Sequence, residues 1–285
     1  MTTSDAKPLA GRTMIMSGGS RGIGLAIALR AAADGANITL IAKTDTPNPK
    51  VPGTIHTAAA ELEAAGGQVL AFVGDVRNDD AVAEAVRQTT ERFGGIDIVV
   101  NNASAIDLSP TDVIPMKKYD LMQDINCRGS FLLSKLSIPA LRESAKAGRN
   151  PHILTLSPPL NLNPKWAGTA LAYTIAKYGM SLTTLGLAEE LKKDGIGVNS
   201  LWPRTTIATA AVKNLLGGDD MMNASRTPDI YADAAYIVLT SPSTEATGNF
   251  YIDDEVMASA GVTDLEKYRA GTPGTELQLD LFLDA

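Results

Sequence analysis

A single cysteine, Cys127, stands in 285 residues, so no internal disulfide can form and the fold makes no demand on an oxidising compartment. Histidine is nearly as scarce. His56 and His152 are too isolated to suggest a metal site, and none is expected. No apolar run approaches the roughly 20 residues of a membrane-spanning helix, and Met1–Pro8 has no apolar signal core. The expectation is a cytoplasmic protein with no membrane span. Positive charge is also short, with 25 Lys and Arg against 32 Asp and Glu, and the resulting net charge of −7 argues against broad attraction to nucleic acid or anionic membrane. Small molecules are the expected partners. Internal repeats, low-complexity tracts and Gly/Ser linkers are missing as well, so the chain reads as a single domain over residues 1–285, with a core at 10–260 and a C-terminal tail at 261–285.

What the chain does have is 45% apolar residues in short runs bounded by turn residues, with helical patterns between them. The expected strands are Thr13–Ser17, Asn37–Ala42, Val69–Gly74, Ile96–Asn101, His152–Ser157, Gly197–Trp202 and Asn249–Ile252. Helical spacing of Ala, Leu, Lys and Glu marks Gly22–Gly35, Asp79–Phe93, Tyr119–Ala147 and Ala170–Asp194. Repeated strand-helix-strand units with right-handed crossovers give an α/β fold: a doubly wound parallel sheet of seven strands with helices on both faces. Ligands of such sheets bind in the crevice at the carboxyl ends of the strands, so function is expected just after each strand. The stretch Thr46–Thr54, with Pro47, Pro49, Pro52 and Gly53, reads as an ordered excursion rather than a boundary. The tail ends on Leu277, Leu279, Leu281, Phe282 and Leu283, apolar enough to pack on its own or a neighbouring subunit.

After the first strand comes Ser17-Gly18-Gly19-Ser20-Arg21-Gly22-Ile23-Gly24, which opens a helix rich in Ala and Leu. Glycines at such a turn let backbone N–H groups approach a pyrophosphate at the positive end of the helix. A structural loop that merely packs helix on strand is the alternative. Further along, Tyr173 and Lys177 are four apart in a helical segment and project from one face. An unperturbed tyrosine, with a pKa near 10, is a poor base at neutral pH, and a nearby ammonium lowers that value by stabilising the phenolate. Alone, the two would read as a surface pair.

The order of three motifs decides between these readings. Gly18, Gly22 and Gly24 match G-x-x-x-G-x-G, Asn101-Asn102-Ala103-Ser104 is similar to N-N-A-G, and Tyr173 to Lys177 match Y-x-x-x-K. In that order they resemble the short-chain dehydrogenase/reductase family, with its Rossmann-type sheet. The stretches Leu40–Thr44, Leu156–Pro164 and Ala172–Met180 look like the hydroxysteroid dehydrogenase-like group within it, whose animal members carry a further sterol-carrier-like domain that does not follow here. The resemblance implies a nicotinamide cofactor bound by Ser17, Gly18, Ser20, Arg21, Gly22, Ile23 and Gly24. It further implies Asp75 at the adenine, Asn102 along the trough, Lys177 itself, and the backbone of Thr206 and Ile207 at the nicotinamide amide. Asp75 could instead cap a helix, and Asn102 could stabilise a turn.

NADP(H) is expected over NAD because the second strand ends in Lys43 rather than an acid, and Arg21 precedes Gly22. Asp45 is the counterargument. The resemblance also implies that Asn126 distorts its helix and holds a water beside Lys177. The family serine at the end of strand five has no clear counterpart, since alignment puts Pro158 there and Ser157 one place earlier. Ser157 is kept as a catalytic candidate beside the alternative of a strand-end cap. Ala208–Thr227, with Leu215, Leu216, Met221 and Met222 around glycines, reads as a substrate lid or as a core-packing insertion. The expected activity is an NADP(H)-dependent oxidoreductase interconverting a carbonyl and a secondary alcohol on an apolar small molecule, as a homodimer or homotetramer. An NADPH-binding sensor or scaffold with little turnover stays open, and lyase or epimerase chemistry fits the glycine spacing less well.

Overall fold

Strands buried on both faces need near-continuous apolar runs, and β1 (Thr13–Ser17), β2 (Asn37–Ala42) and β6 (Gly197–Trp202) are buried at every position. With β3 (Gln68–Val73), β4 (Ile98–Asn101), β5 (His152–Thr155) and β7 (Phe250–Ile252) they form a seven-stranded sheet. Its order is β3-β2-β1-β4-β5-β6-β7, and adjacent strands pair in parallel. This computed structural model describes residues 7–47 and 53–284, apart from the side chains of 215 and 216. Most of the proline-rich excursion, and the side chains of Leu215 and Leu216, therefore lie outside the described residues.

The helices are α1 (Gly22–Ala32), α2 (Ile55–Ala64), α3 (Asp79–Phe93), α4 (Met116–Met122), α5 (Gly129–Lys146), α6 (Pro164–Thr169), α7 (Leu171–Glu190), α8 (Ala210–Val212), α9 (Gly218–Asn223), α10 (Pro228–Thr240) and α11 (Asp253–Ser259). Alternate strand residues serve opposite layers. Met14 and Met16 pack with Ile27 and Ala28 of α1, Leu62 of α2 and Ala235 of α10. Ile15 points the other way, into a core with Val82 of α3, Leu133 of α5 and Leu187 of α7. The strand bounds agree with the sequence expectation to within two residues, and α2 and α10 add to the helices marked there. A third cluster, holding Tyr173, Trp202, Ile252, Phe282 and Leu283, sits where β6 and β7 end.

At the opposite, amino-terminal ends of the strands, Asp97 locks three segments together. Its carboxylate accepts from Thr13 N–H at 2.8 Å, Ser144 Oγ at 2.6 Å, and Arg149 Nε and Nη2 at 2.8 and 2.7 Å. Burial alone would raise its pKa, but the bonds from Arg149, Ser144 and Thr13 outweigh that and leave it lowered. A lowered carboxyl contributes stability that is complete above its unfolded value of about 4 and is lost as pH falls through the folded value. Asp97→Ala would leave Thr13 N–H and Arg149 without their acceptor, and should cost about 3–5 kcal/mol in urea unfolding at neutral pH. The deficit against wild type should shrink as the pH is lowered below about 4.

Candidate active site

The sheet order reverses between β1 and β4, whose neighbours lie on opposite sides, and the crevice opens there. Ser17 and Asn102 draw the two strand ends together. Ser17 Oγ accepts from the backbone N–H groups of Asn102 and Ala103, both at 3.2 Å, and Asn102 Nδ2 donates to Ser17 O at 3.0 Å. A Cβ on Gly18 would meet Asn102 Nδ2 at 2.4 Å, and one on Gly24 would meet it at 2.5 Å. Both glycines are thus required by the approach of Asn102 as well as by any ligand. Gly18 and Gly22 also hold positive φ values of 79° and 58°.

The turn delivers the N-terminus of α1 without a side-chain cap and with no acid in its first turn. Unsatisfied N–H groups at a positive helix end fit a pyrophosphate, so these residues suit a nicotinamide dinucleotide. Ser20 is buried in the turn, and Ile23 packs against the core beneath α1. Beyond β2, Arg21 Nη2 donates to Thr44 Oγ1 at 2.7 Å, and Lys43 Nζ lies 3.4 Å from Asp75 Oδ2. Asp45 turns to His56 Nε2 at 2.6 Å. Asp75 is held at a pKa of about 2, chiefly by its hydrogen bond from the Arg77 side chain against the opposing cost of burial. Asn78, not Asp75, caps α3 through Ala81 N–H at 3.0 Å.

Tyr173 and Lys177 project from α7 into the third cluster and are both buried. Lys177 Nζ donates to Leu156 O at 2.8 Å and stands 5.1 Å from the centroid of the Trp202 ring. Burial pulls Lys177 down to about 7, with Asp280 pulling upward. Burial pushes Tyr173 well above the usual phenol range, Asp280 pushes the same way, and a hydrogen bond with the Ser104 side chain opposes them. Asn126 lies fully buried in a π-helical turn, Gln123–Arg128, that joins α4 to α5. Its amide clamps Ala105, accepting from the N–H at 2.7 Å and donating to the C=O at 2.9 Å. The distortion expected around Asn126 is present as this wide turn.

Two expectations meet a different geometry. Ser157 Oγ lies 2.8 Å from Ser200 Oγ, which donates to Thr184 Oγ1 at 2.8 Å, so its hydroxyl is tied between β6 and α7. The serine whose side chain lies near enough to Tyr173 to act on its pKa is Ser104, whose hydroxyl itself turns to Ala105 O at 3.5 Å. The backbone of Thr206 is committed too, its N–H to Gln278 O at 2.9 Å and its C=O to Arg226 N–H at 3.0 Å. Its neighbour Ile207 is buried and bridges to Arg226. Sequence reasoning missed Thr209, which caps α8 and lies within 3.4 Å of where a Gly22 Cβ would be. It also missed Asp280 and Phe282 as site residues. The signal for Thr209 was a hydroxyl residue ahead of an Ala-rich helical start; the tail carried only its apolar content.

Residues 12–218 match the model of the short chain dehydrogenase family. The chain belongs to that family. Hydroxysteroid dehydrogenase-like protein 2 of Xenopus tropicalis is 55% identical over 276 residues, 97% of this chain and 64% of that protein, so the chain spans a little under two thirds of this relative. A short chain dehydrogenase structure from Mycobacterium thermoresistibile is 57% identical with a TM-score of 0.90, covering 97% of this chain and 96% of that one. An NADH-dependent reductase complexed with NAD superposes with a TM-score of 0.70 at 25% identity, covering 86% and 96% of the two chains. Among the described residues no group of three or more His, Cys, Asp or Glu is placed to hold a metal ion, and no helix is long and apolar enough to cross a membrane.

Gly18→Ala tests this cradle. The added methyl must displace Asn102 at a positive φ, so nicotinamide dinucleotide binding by calorimetry should weaken by at least about tenfold, with a drop in thermal midpoint. Binding at wild-type strength would show that the turn tolerates a Cβ.

Proposed function

We propose that the chain is an NADP(H)-dependent oxidoreductase that interconverts a carbonyl and a secondary alcohol on an apolar small molecule, with Tyr173 as acid/base and Lys177 as its activator. The observation that carries this reading is the buried Tyr173–Lys177 pair on one face of α7, beside the hydroxyl of Ser104 and across the crevice from the glycine turn. When bound, the cofactor supplies or accepts the hydride. The protein's part is to hold a proton on Tyr173 at the substrate oxygen, release or recover it as the bond order there changes, and keep water out. Lys177 would serve twice, as a charge that stabilises the phenolate and as a donor to cofactor hydroxyls.

Preference for NADP(H) is supported by two cations at the end of β2, Arg21 and Lys43, while Asp45 is engaged by His56. The preference is not universal on this scaffold, as the NAD-bound reductase shows. An apolar substrate is supported by Val113, Met116 at the start of α4, and Leu162, which stand exposed on the segments that follow β4 and β5. A homodimer or homotetramer through α5 and α7 is supported by the exposed side chains of Phe131, Leu171, Ile175, Leu182 and Leu185. The engagement of Ser157 by Ser200 favours the second reading, an NADPH-binding protein with little turnover. Ser104 answers it by offering a hydroxyl beside Tyr173 from the end of β4.

Parallel titrations with NADPH and NADH should show tighter binding of NADPH, by about tenfold or more, with the gap narrowing in Lys43→Ala and Arg21→Ala. Equal binding in the wild type would refute the selectivity. With NADPH and a panel of apolar ketones and quinones, Tyr173→Phe should abolish turnover while leaving NADPH affinity intact. Ser104→Ala should lower kcat by about 10²- to 10³-fold, as loss of an oxyanion donor does, whereas Ser157→Ala should cost about 1 kcal/mol of stability and little activity. The reverse ranking of the two serines would return the donor role to Ser157.

A further inference from the structure

Tyr173 must touch the oxygen it protonates, yet it is buried, and one of the rings packed on it belongs to no strand or helix. Phe282, 2% exposed, sits in a box of Trp166, Tyr173, Tyr178 and Trp202, at centroid distances of 5.4 to 6.1 Å and interplanar angles of 31° to 64°. Trp202 ends β6, Trp166 stands on α6, and the two tyrosines stand on α7. The fifth ring is carried by residues 278–284, which form no helix and add no strand to the sheet. Up to Asp280 this segment is laced down by backbone: Thr206 N–H donates to Gln278 O at 2.9 Å, Leu279 bridges antiparallel to Thr205, and Asp280 N–H donates to Arg204 O at 3.1 Å. Beyond Asp280 it is held by side chains. The chain has two tryptophans, and both indole N–H groups donate here, Trp202 Nε1 to Leu281 O at 2.9 Å and Trp166 Nε1 to Asp284 Oδ1 at 3.3 Å. Asn161 Nδ2 donates to Phe282 O at 3.0 Å. Lys165 Nζ lies 2.6 Å from Asp284 Oδ1, a pair about half exposed and hence weak. The φ of Phe282, 71°, is in the left-handed region, so releasing the ring also returns the cost of that conformation.

We propose that Phe282 stands in for the substrate: the box binds the aromatic ring of an aryl ketone or of the matching benzylic alcohol, and residues 281–284 swing out as that ring enters. The inference deepens the carbonyl–alcohol reading of Tyr173 and rests on it. The box suits a ring rather than an open chain, because a benzyl group fills it now and the walls meet that group in tilted and edge-on contacts, which the ring quadrupole favours. Its walls are fixed by β6 and by the long helix α7, so the ring that yields is Phe282. A substrate ring in the same seat lies against the phenol, as Phe282 does at 6.1 Å, and brings a carbonyl one bond off it beside the phenol's edge. The carbonyl carbon then takes a hydride from NADPH and its oxygen takes the proton of Tyr173. The products are the secondary alcohol, NADP+ and a phenolate that solvent reprotonates. Phe282 thereby sets specificity, since a substrate enters only if it matches the contacts that the ring gives up.

The test reads the two indole N–H signals by 1H–15N NMR of the full chain saturated with NADP+, assigned with Trp166→Phe, during titration with 2-phenyl-2-propanol. This tertiary alcohol has no carbinol hydrogen to lose, so it occupies the site without turning over, and its binding is followed as inhibition of NADPH-dependent acetophenone reduction. Both indole protons should shift upfield and exchange faster with solvent as the alcohol saturates, whereas 2-methyl-2-octanol, which has no ring, should cause neither change. In Phe282→Leu, KM for acetophenone should fall by about three- to tenfold with kcat no lower, because a weaker occupant is displaced. Phe282→Met serves if the leucine variant does not fold. Indole signals that stay put at an inhibiting concentration, no inhibition at the solubility limit, an equal response to the open-chain alcohol, or a KM that does not fall in the variant overturns the proposal and makes Phe282 a packing residue. Failure of the underlying reading looks different: Tyr173→Phe would then reduce acetophenone at the wild-type rate, whatever the indole signals do.

Discussion

Everything in this candidate site hangs on the suture between the ends of β1 and β4. One serine hydroxyl takes two backbone N–H groups, one asparagine amide returns a bond to the serine carbonyl, and two glycines leave room for that amide. Because the neighbours of β1 and β4 lie on opposite sides, the suture closes the bottom of the crevice and leaves its mouth open. The same few residues thus satisfy buried polar groups and present α1 to an anion. Substitutions there act on fold and binding together, and the two effects have to be separated by measuring both.

Above that floor the chemistry is set by burial. Tyr173 and Lys177 are both shifted in the direction that removes charge, the first upward and the second downward. A site of this kind works only if each neutralised group is offered a compensating partner when it must ionise. Ser104 is such a partner for the phenol, and the carbonyl of Leu156 is a partial one for the ammonium. The phenol holds its proton firmly, and small changes in the surrounding charge decide whether Lys177 holds its own.

Much of this was legible in the sequence because it is local. β1, β2 and β6 announce themselves as short apolar runs, and the glycine turn and the Y-x-x-x-K spacing are contained within eight and five residues. The π turn was legible only through resemblance, since nothing in Gln123–Arg128 departs from helical spacing. What could not be read were choices made between distant segments. Whether the Ser157 hydroxyl points to the crevice or to Ser200 depends on the register of β5 against β6, and whether Thr206 N–H is free depends on a tail some 70 residues away. Asp280 gave no signal at all, because a lone acid in an apolar tail is indistinguishable from a solvated one until its neighbours are known.

The Phe282 backbone, at a φ of 71°, is in the left-handed region that bulky side chains avoid, at a cost of about 1–3 kcal/mol, and the aromatic cage holds it there. Such a conformation forms only when the cage is already built. On the ribosome the glycine turn emerges early and can fold against the first strands, whereas the residues that seal Tyr173 emerge only after all seven strands of the sheet. A nascent chain would therefore be able to present that turn to an anion well before Tyr173 was shielded from water, and a stop codon shortly before Gln278 would freeze it in that state.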